Sequence, residues 1–298
     1  MASAVRRLVV SRKLRGQPVR DANNARGGLR SLAQNDGPSS ERGEANSGDP
    51  NFMTSLARGL AVIQVFSDRR RNLTIPQISQ LTGFSRAAVR RCLYTLGRLG
   101  YVSPGPRMFT LEPKILELGH AYLSSTRLAP AAQPILDKLC DALNESCSIS
   151  ILDGTDILYL ARSSTNVRLL SVDLGVGSRL PAYYTSMGRV LLASLPAESL
   201  REYLTRLKLV AHTKRSITSR VKLTAELASV RKRGYSIVDQ ELEIGLRSIA
   251  VPVRLRSGSV VAAMNVGTQA ARVPITELRE RIFPQLHAAA QSLAAVLG

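Results

Sequence analysis

The sequence predicts an α+β protein in which a winged helix-turn-helix precedes a larger domain built around a mostly antiparallel sheet. Three observations carry this reading. Between residues 54 and 100 apolar side chains recur at helical spacing in three short blocks, the first ending in Ser-Asp-Arg-Arg-Arg and the next two at Gly83 and Gly100. From Cys147 the apolar period changes to two, the alternation of a strand. Beyond that point strand blocks, helix blocks and a hairpin follow one another, the order expected of an α+β domain.

Residues 1–50 mix arginine with Gly, Ser, Asn and Asp and hold too little apolar material to repay the entropy of ordering, so they read as a disordered basic tail. A first helix is expected over about 54–67, with Leu56, Leu60, Ile63 and Phe66 on one face. A second starts after the N-cap Thr74, turns Ile75, Ile78 and Leu81 inward, and stops at Gly83, whose tolerance of positive φ suits a tight turn. A third starts after the N-cap Ser85 and buries Val89, Leu93, Leu96 and Leu99 before Gly100. Two helices joined by a short glycine-containing turn are the geometry in which the second enters a major groove. The wing follows: Tyr101 to Ser103, a Pro104-Gly105-Pro106 turn, and Arg107 to Leu111. Apolar helices come next, over about 113–125 and 129–145. Strands are then expected over 147–153, 156–162 and 167–174, helices over 186–194, 197–207 and 221–233, strands over 235–239, 249–256 and 260–267, and a final amphipathic helix over 275–297.

Charge singles out the N-terminal module. Residues 51–111 hold nine arginines against one acid, Asp68, so that +8 of the net +19 sits in about a fifth of the chain. Concentration of this kind is an electrostatic footprint for phosphate. With no Trp and five Phe, the chain lacks the stacking aromatics of single-stranded RNA readers, which favours duplex DNA. The apolar runs are shorter than the roughly 20 residues a spanning helix needs and no signal peptide is apparent, so a cytoplasmic protein with no membrane partner is expected. Cys92, Cys140 and Cys147 stand in no metal-like spacing with His120, His212 and His287, so neither disulfide nor zinc is expected.

The expected DNA face comprises the N-caps Thr74 and Ser85, then Arg86, Arg90, Arg91 and Tyr94 on the third helix, and Arg107 on the wing. Arg86 is the most informative of these, because a cation in the first turn opposes the helix dipole and calls for a compensating anion or a guanine edge. For Arg69, Arg70 and Arg71, phosphate contact and plain solvation stay open. Catalytic signals are weak. Gly175-Val176-Gly177 lacks the third glycine of a dinucleotide loop, and Ser186 has Tyr184 where a nucleophile elbow needs glycine. Asp239, Glu241 and Glu243 are expected on one solvated or hydrogen-bonding face. No enzymatic activity and no cofactor are expected.

The blocks FMTSLARGLAVIQVF, GSRLPAYYTSMGRVLLASLP, GYSIVDQELEIGLRSIAVPV and VVAAMNVGTQAARV, together with the winged helix-turn-helix, resemble the IclR family of transcriptional regulators from about Phe52 to the C-terminus. LPAYYTSMGRVLLA and DQELEIGLRSIAVPV resemble its β-ketoadipate-pathway subgroup, the PcaR, PcaU and PobR type. The resemblance implies a reading head over 51–112, a linker helix over 113–127, and a GAF-like effector-binding domain over 128–298. It implies a homodimer or dimer of dimers on double-stranded operator DNA, with activation as the subgroup's output. The implied effector is a small carboxylated metabolite: protocatechuate, 4-hydroxybenzoate or β-ketoadipate. By the same resemblance the effector pocket takes main-chain amides from Ser186, Met187 and Gly188 and polar contacts from Ser248 and Asn265. Arg179, Tyr183 and Tyr184 would add a cation and phenols, the tyrosines packing in the core as the alternative. Arg162 or Arg168 is the fallback ligand contact, and Arg247 is expected to pair with Glu241 or Glu243.

Overall fold

The computed structural model describes residues 49–67, 70–105, 107–165 and 174–298. The predicted tail up to residue 48, Arg69, Arg168 and nearly all of the strand expected over 167–174 lie outside them.

The first module packs α1 (Thr54–Gln64), α2 (Ile75–Thr82) and α3 (Arg86–Arg98) around Val62, Val65, Ile78, Val89, Leu93 and Leu96, all buried. The first helix stops short of the expected Ser67 because the chain bends into a bridge between Ser67 and Arg70. The turn is held by local chemistry. Thr74 and Gln77 form a reciprocal capping box, Gly83 closes α2 at φ 73°, and Ser85 accepts from the Ala88 amide at 3.3 Å. The wing strands β2 (Val102–Pro104) and β3 (Phe109–Leu111) are joined by a strand the alternation did not predict, β1 (Asn72–Leu73), which is too short to carry a period.

Pro113–Ile115 forms a 3-10 turn into α4 (Leu116–Ser125), and α5 (Leu128–Leu143) follows. The larger sheet is wholly antiparallel, in spatial order β6-β5-β4-β9-β8-β7. Its strands are β4 (Ser146–Asp153), β5 (Asp156–Ser163), β6 (Arg179–Pro181), β7 (Ser236–Asp239), β8 (Leu246–Arg254) and β9 (Val260–Gln269). The three-residue edge strand β6 was not expected from the sequence.

Alternation sends Cys147, Ile149, Ile249, Val251, Met264 and Val266 to one face, where α5 and the C-terminal helix cover them. That last helix departs from the expected single run. A π-helical turn at Leu278–Ile282 separates Ile275–Glu277 from α9 (Phe283–Leu297), and the added width keeps Leu278, Ile282 and Leu286 all buried in the core. The other face is covered by α6 (Ser186–Ser194), α7 (Ala197–Arg206) and α8 (Arg220–Arg233) through Ile157, Ala250 and Ala263. No helix among the described residues is long and apolar enough to cross a membrane.

Arg247 departs from expectation. Its Nε donates to Asp239 Oδ1 at 2.7 Å and its Nη1 to the Val273 carbonyl at 2.6 Å, while the Glu241 carboxylate is taken by Arg189. Burial pushes the Asp239 carboxyl up, but bonds from Arg247 and Gln240 and the nearby Arg247 and Arg215 charges hold it below the ordinary carboxylate range.

Candidate functional site

One end of the sheet's second face is polar. Two rows run across the strands there: Arg162, Ser148 and Asn265 side by side, and next to them Ser146, Gly267, Ser248 and Val238. These residues are the floor of a small cavity, partly open to solvent. Tyr184, Thr185, Ser186 and Met187 roof it, and Leu174, Leu180, Leu242 and Leu246 close its sides. A few converging polar groups in an apolar frame are the composition of a small-molecule site.

The roof follows from the sequence. A 3-10 turn over Ala182–Tyr184 delivers Thr185 in extended conformation as the N-cap of α6, its hydroxyl accepting from the Gly188 amide at 3.0 Å. Ser186 and Met187 are thus the first helical residues, whose N–H groups have no intrahelical partner and favour an anion.

Four side-chain atoms around this cavity, Ser146 Oγ, Tyr184 OH, Ser186 Oγ and Asn265 Oδ1, are buried with no hydrogen-bond partner among the described residues. A buried polar atom left so costs about 1–3 kcal/mol, so four converging on one space mark a place made to be bonded by something else. The Arg162 guanidinium, half-buried, enters no ion pair among the described residues. Among the described residues, no acidic side chain lines the cavity. Burial pushes the Tyr184 phenol well up, and it pushes Tyr159 up to about 12 against the opposing charge of Arg162. Both remain neutral donors at ordinary pH. The arrangement suits an anion of modest size with hydrogen-bonding substituents.

Of the effector residues expected from the resemblance, the structure brings Tyr184, Ser186, Met187, Ser248 and Asn265 together at this cavity. Three others stand apart. Arg179 is held on the edge strand by ion pairs to Asp153 and Asp156, which neutralise it. The Tyr183 hydroxyl is bonded to the Val210 backbone in both directions, 3.1 Å from its amide and 3.3 Å from its carbonyl, so this tyrosine is core. Gly188 has its amide occupied by Thr185 and its Cα pressed on Ala182, so it serves packing. Among the described residues the cation at the cavity is Arg162, expected only as a fallback. Ser146, Ser148 and Tyr159 were missed, although for the serines alternation was a usable signal: those of SCSISILD take every second position opposite an apolar face, and the structure buries them.

On the first module, Arg86, Arg90 and Tyr94 succeed one another at one-turn spacing on α3 and all are exposed, Tyr94 by 70%. Arg91, also exposed, stands at a groove shared with Arg58 and Leu56 of α1. Arg107 is exposed on the wing. Ser85 and Thr74 act as caps, and the Thr74 hydroxyl is already engaged with Gln77.

Residues 55–106 match the IclR helix-turn-helix domain, and residues 120–295 match the C-terminal domain of bacterial transcriptional regulators of the IclR type. The chain is 57% identical over 253 residues to the Pca regulon regulatory protein of Pseudomonas putida, covering 85% of this chain and 87% of that one. Its fold is similar to that of a transcriptional regulator from Rhodococcus sp. RHA1, with TM-score 0.74 and 46% identity over 83% of this chain and 98% of that one. The inducer-binding domain of a PobR double mutant from Acinetobacter, solved with 3-hydroxybenzoic acid, matches 57% of this chain and 98% of its own length at 32% identity and TM-score 0.53. The chain belongs to the IclR family of bacterial transcriptional regulators.

Proposed function

We propose that the protein is a cytoplasmic regulator of aromatic-acid catabolism whose effector is protocatechuate, 4-hydroxybenzoate or β-ketoadipate. The observation that carries this is the set of four buried polar atoms, unpartnered among the described residues, meeting Arg162 and a helix start around one cavity. The names of the Pca regulon regulator and of the PobR complex with 3-hydroxybenzoic acid support the same chemistry. In this reading residues 51–112 are the reading head, 113–127 the linker helix and 128–298 the effector domain. Exposed Leu116, Leu118 and Tyr122 on α4 and Leu56 and Leu60 on α1 supply apolar surface for a homodimer or dimer of dimers. The effector then shifts an equilibrium between arrangements of the heads, a coupling typically worth about 1–3 kcal/mol.

A thermal-shift series with the three acids tests the effector. One of them at about 100 times its dissociation constant should add roughly 2.7 kcal/mol of stability. A melting point unmoved by all three would reject the reading. On the DNA side, the contacts fall to Arg86, Arg90, Arg91, Tyr94 and Arg107, with Ser85 and Thr74 presenting the two helix starts. Replacing Arg86 or Arg90 with alanine should cost about 1–3 kcal/mol of operator affinity and flatten preference at one base pair. Equal losses on operator and random duplex would reduce that arginine to a phosphate contact.

A further inference from the structure

The largest fully buried side chain among the described residues is a charged one, on the helix that roofs the cavity. Arg189, on α6, is 1% exposed and grips Glu241 with two bonds of 2.7 Å, while its Nε donates to the Tyr183 carbonyl at 2.9 Å. Glu241, in turn, anchors the loop over 209–217. Its carboxylate accepts from the Ile217 amide at 3.0 Å, and its carbonyl accepts from Ser216 Oγ at 2.7 Å. That loop carries His212, whose ring packs edge-on against the Tyr184 ring with centroids 4.5 Å apart. The two ends of the ion pair therefore meet again at one side chain. Arg189 fixes the backbone next to Tyr184, and Glu241 holds the loop that backs its ring. The Tyr184 hydroxyl is one of the unpartnered atoms at the cavity.

A buried ion pair is a poor way to gain stability, since well-packed apolar replacements often do as well or better. It is a good way to fix geometry, because a guanidinium forked onto a carboxylate permits one orientation. We propose that Arg189 and Glu241 are positioning residues for the effector, holding the Tyr184 phenol where it donates to the bound acid. This rests on the effector reading of the cavity given above.

A double-mutant cycle separates positioning from mere structural support. Tyr184→Phe, the paired replacement Arg189→Met with Glu241→Leu, and all three changes together are titrated calorimetrically with each of the three acids. Melting temperatures are recorded alongside. Tyr184→Phe should weaken binding about tenfold, the loss of one hydrogen bond to a charged group. The paired replacement should weaken it by about the same factor while the domain stays folded, and the triple variant should remain near tenfold. A triple variant weakened about a hundredfold, or a paired variant that binds as the wild type does, would overturn the proposal. Should the paired variant not fold, Arg189→Lys runs the same cycle, because it keeps the charge but loses the fork and the bond to Tyr183. The two readings fail in distinguishable ways. Wild-type affinity in Ser186→Asp places the effector outside this cavity, whereas loss of binding in Ser186→Asp with a multiplicative cycle rejects positioning alone.

Discussion

Replacing Gly188 with alanine is expected to unfold the effector domain. A Cβ at this position would lie 2.1 Å from the Ala182 carbonyl oxygen, 2.4 Å from its Cα and 2.5 Å from its carbonyl carbon, all backbone atoms. Neither side can yield. Ala182 is completely buried, its amide is bonded to the Thr155 carbonyl at 3.0 Å, and its carbonyl accepts from Thr185 at 3.3 Å. Overpacking by a methylene against flexible side chains already costs about 1–3 kcal/mol. A clash with pinned backbone should exceed that, at roughly 4 kcal/mol or more, a large part of the total stability of a domain. Gly119→Ala is the control, since a Cβ on that helical glycine meets nothing within 4 Å and should be neutral or stabilising by about 0.5–1 kcal/mol. Thermal melts followed by circular dichroism decide it. A Gly188→Ala protein melting within a few degrees of wild type would show that the 182–188 corner is far softer than its bonding implies.

That corner also shows where a sequence is legible and where it is not. Helices α1 to α3, with their caps at Thr74, Ser85 and Gly83, could be read directly, because capping and periodicity are local and involve residues three or four positions apart. The β-strand blocks at 146–163 and 246–269 were readable for the same reason. The cavity is not local. Whether Ser146 and Ser148 face water or a pocket depends on α6 lying over them, a contact set by residues some forty positions on in the chain. The sequence put Arg179 forward as the effector's cation and Arg162 only as a fallback. Only the strand pairing that brings Asp153 and Asp156 to Arg179, and Ser148 to Arg162, tells them apart. The Arg189 to Glu241 pair spans 52 positions, and no pattern in either segment announces it.

The second large effect concerns Ser186, which is 1% exposed with its hydroxyl unpartnered at the cavity. In the Ser186→Asp protein the effector response should be abolished while operator binding persists. The carboxylate would stand at the first position of α6, where the dipole favours an anion by about 0.3–1 kcal/mol, so the helix itself should tolerate it. It would also occupy the place proposed for the effector's own carboxylate. Two unit charges about 4 Å apart in surroundings of effective dielectric near 20 repel by roughly 4 kcal/mol, a loss of about a thousandfold in affinity. Ser186→Asn, similar in size and uncharged, should lose no more than about tenfold, which separates charge from bulk. Ser248→Ala and Asn265→Ala should fall in that smaller range, each removing one hydrogen bond worth about 0.5–1.5 kcal/mol, or up to roughly 3 where it meets the charged group. Reading head and cavity are built from different segments of the chain, so operator affinity without effector should match wild type in all four proteins. Calorimetric titration with the three acids, run beside operator binding, gives both numbers. Unaltered effector affinity in the Ser186→Asp protein would mean that the helix start does not hold the acid, and that the unpartnered groups of the cavity serve some other ligand.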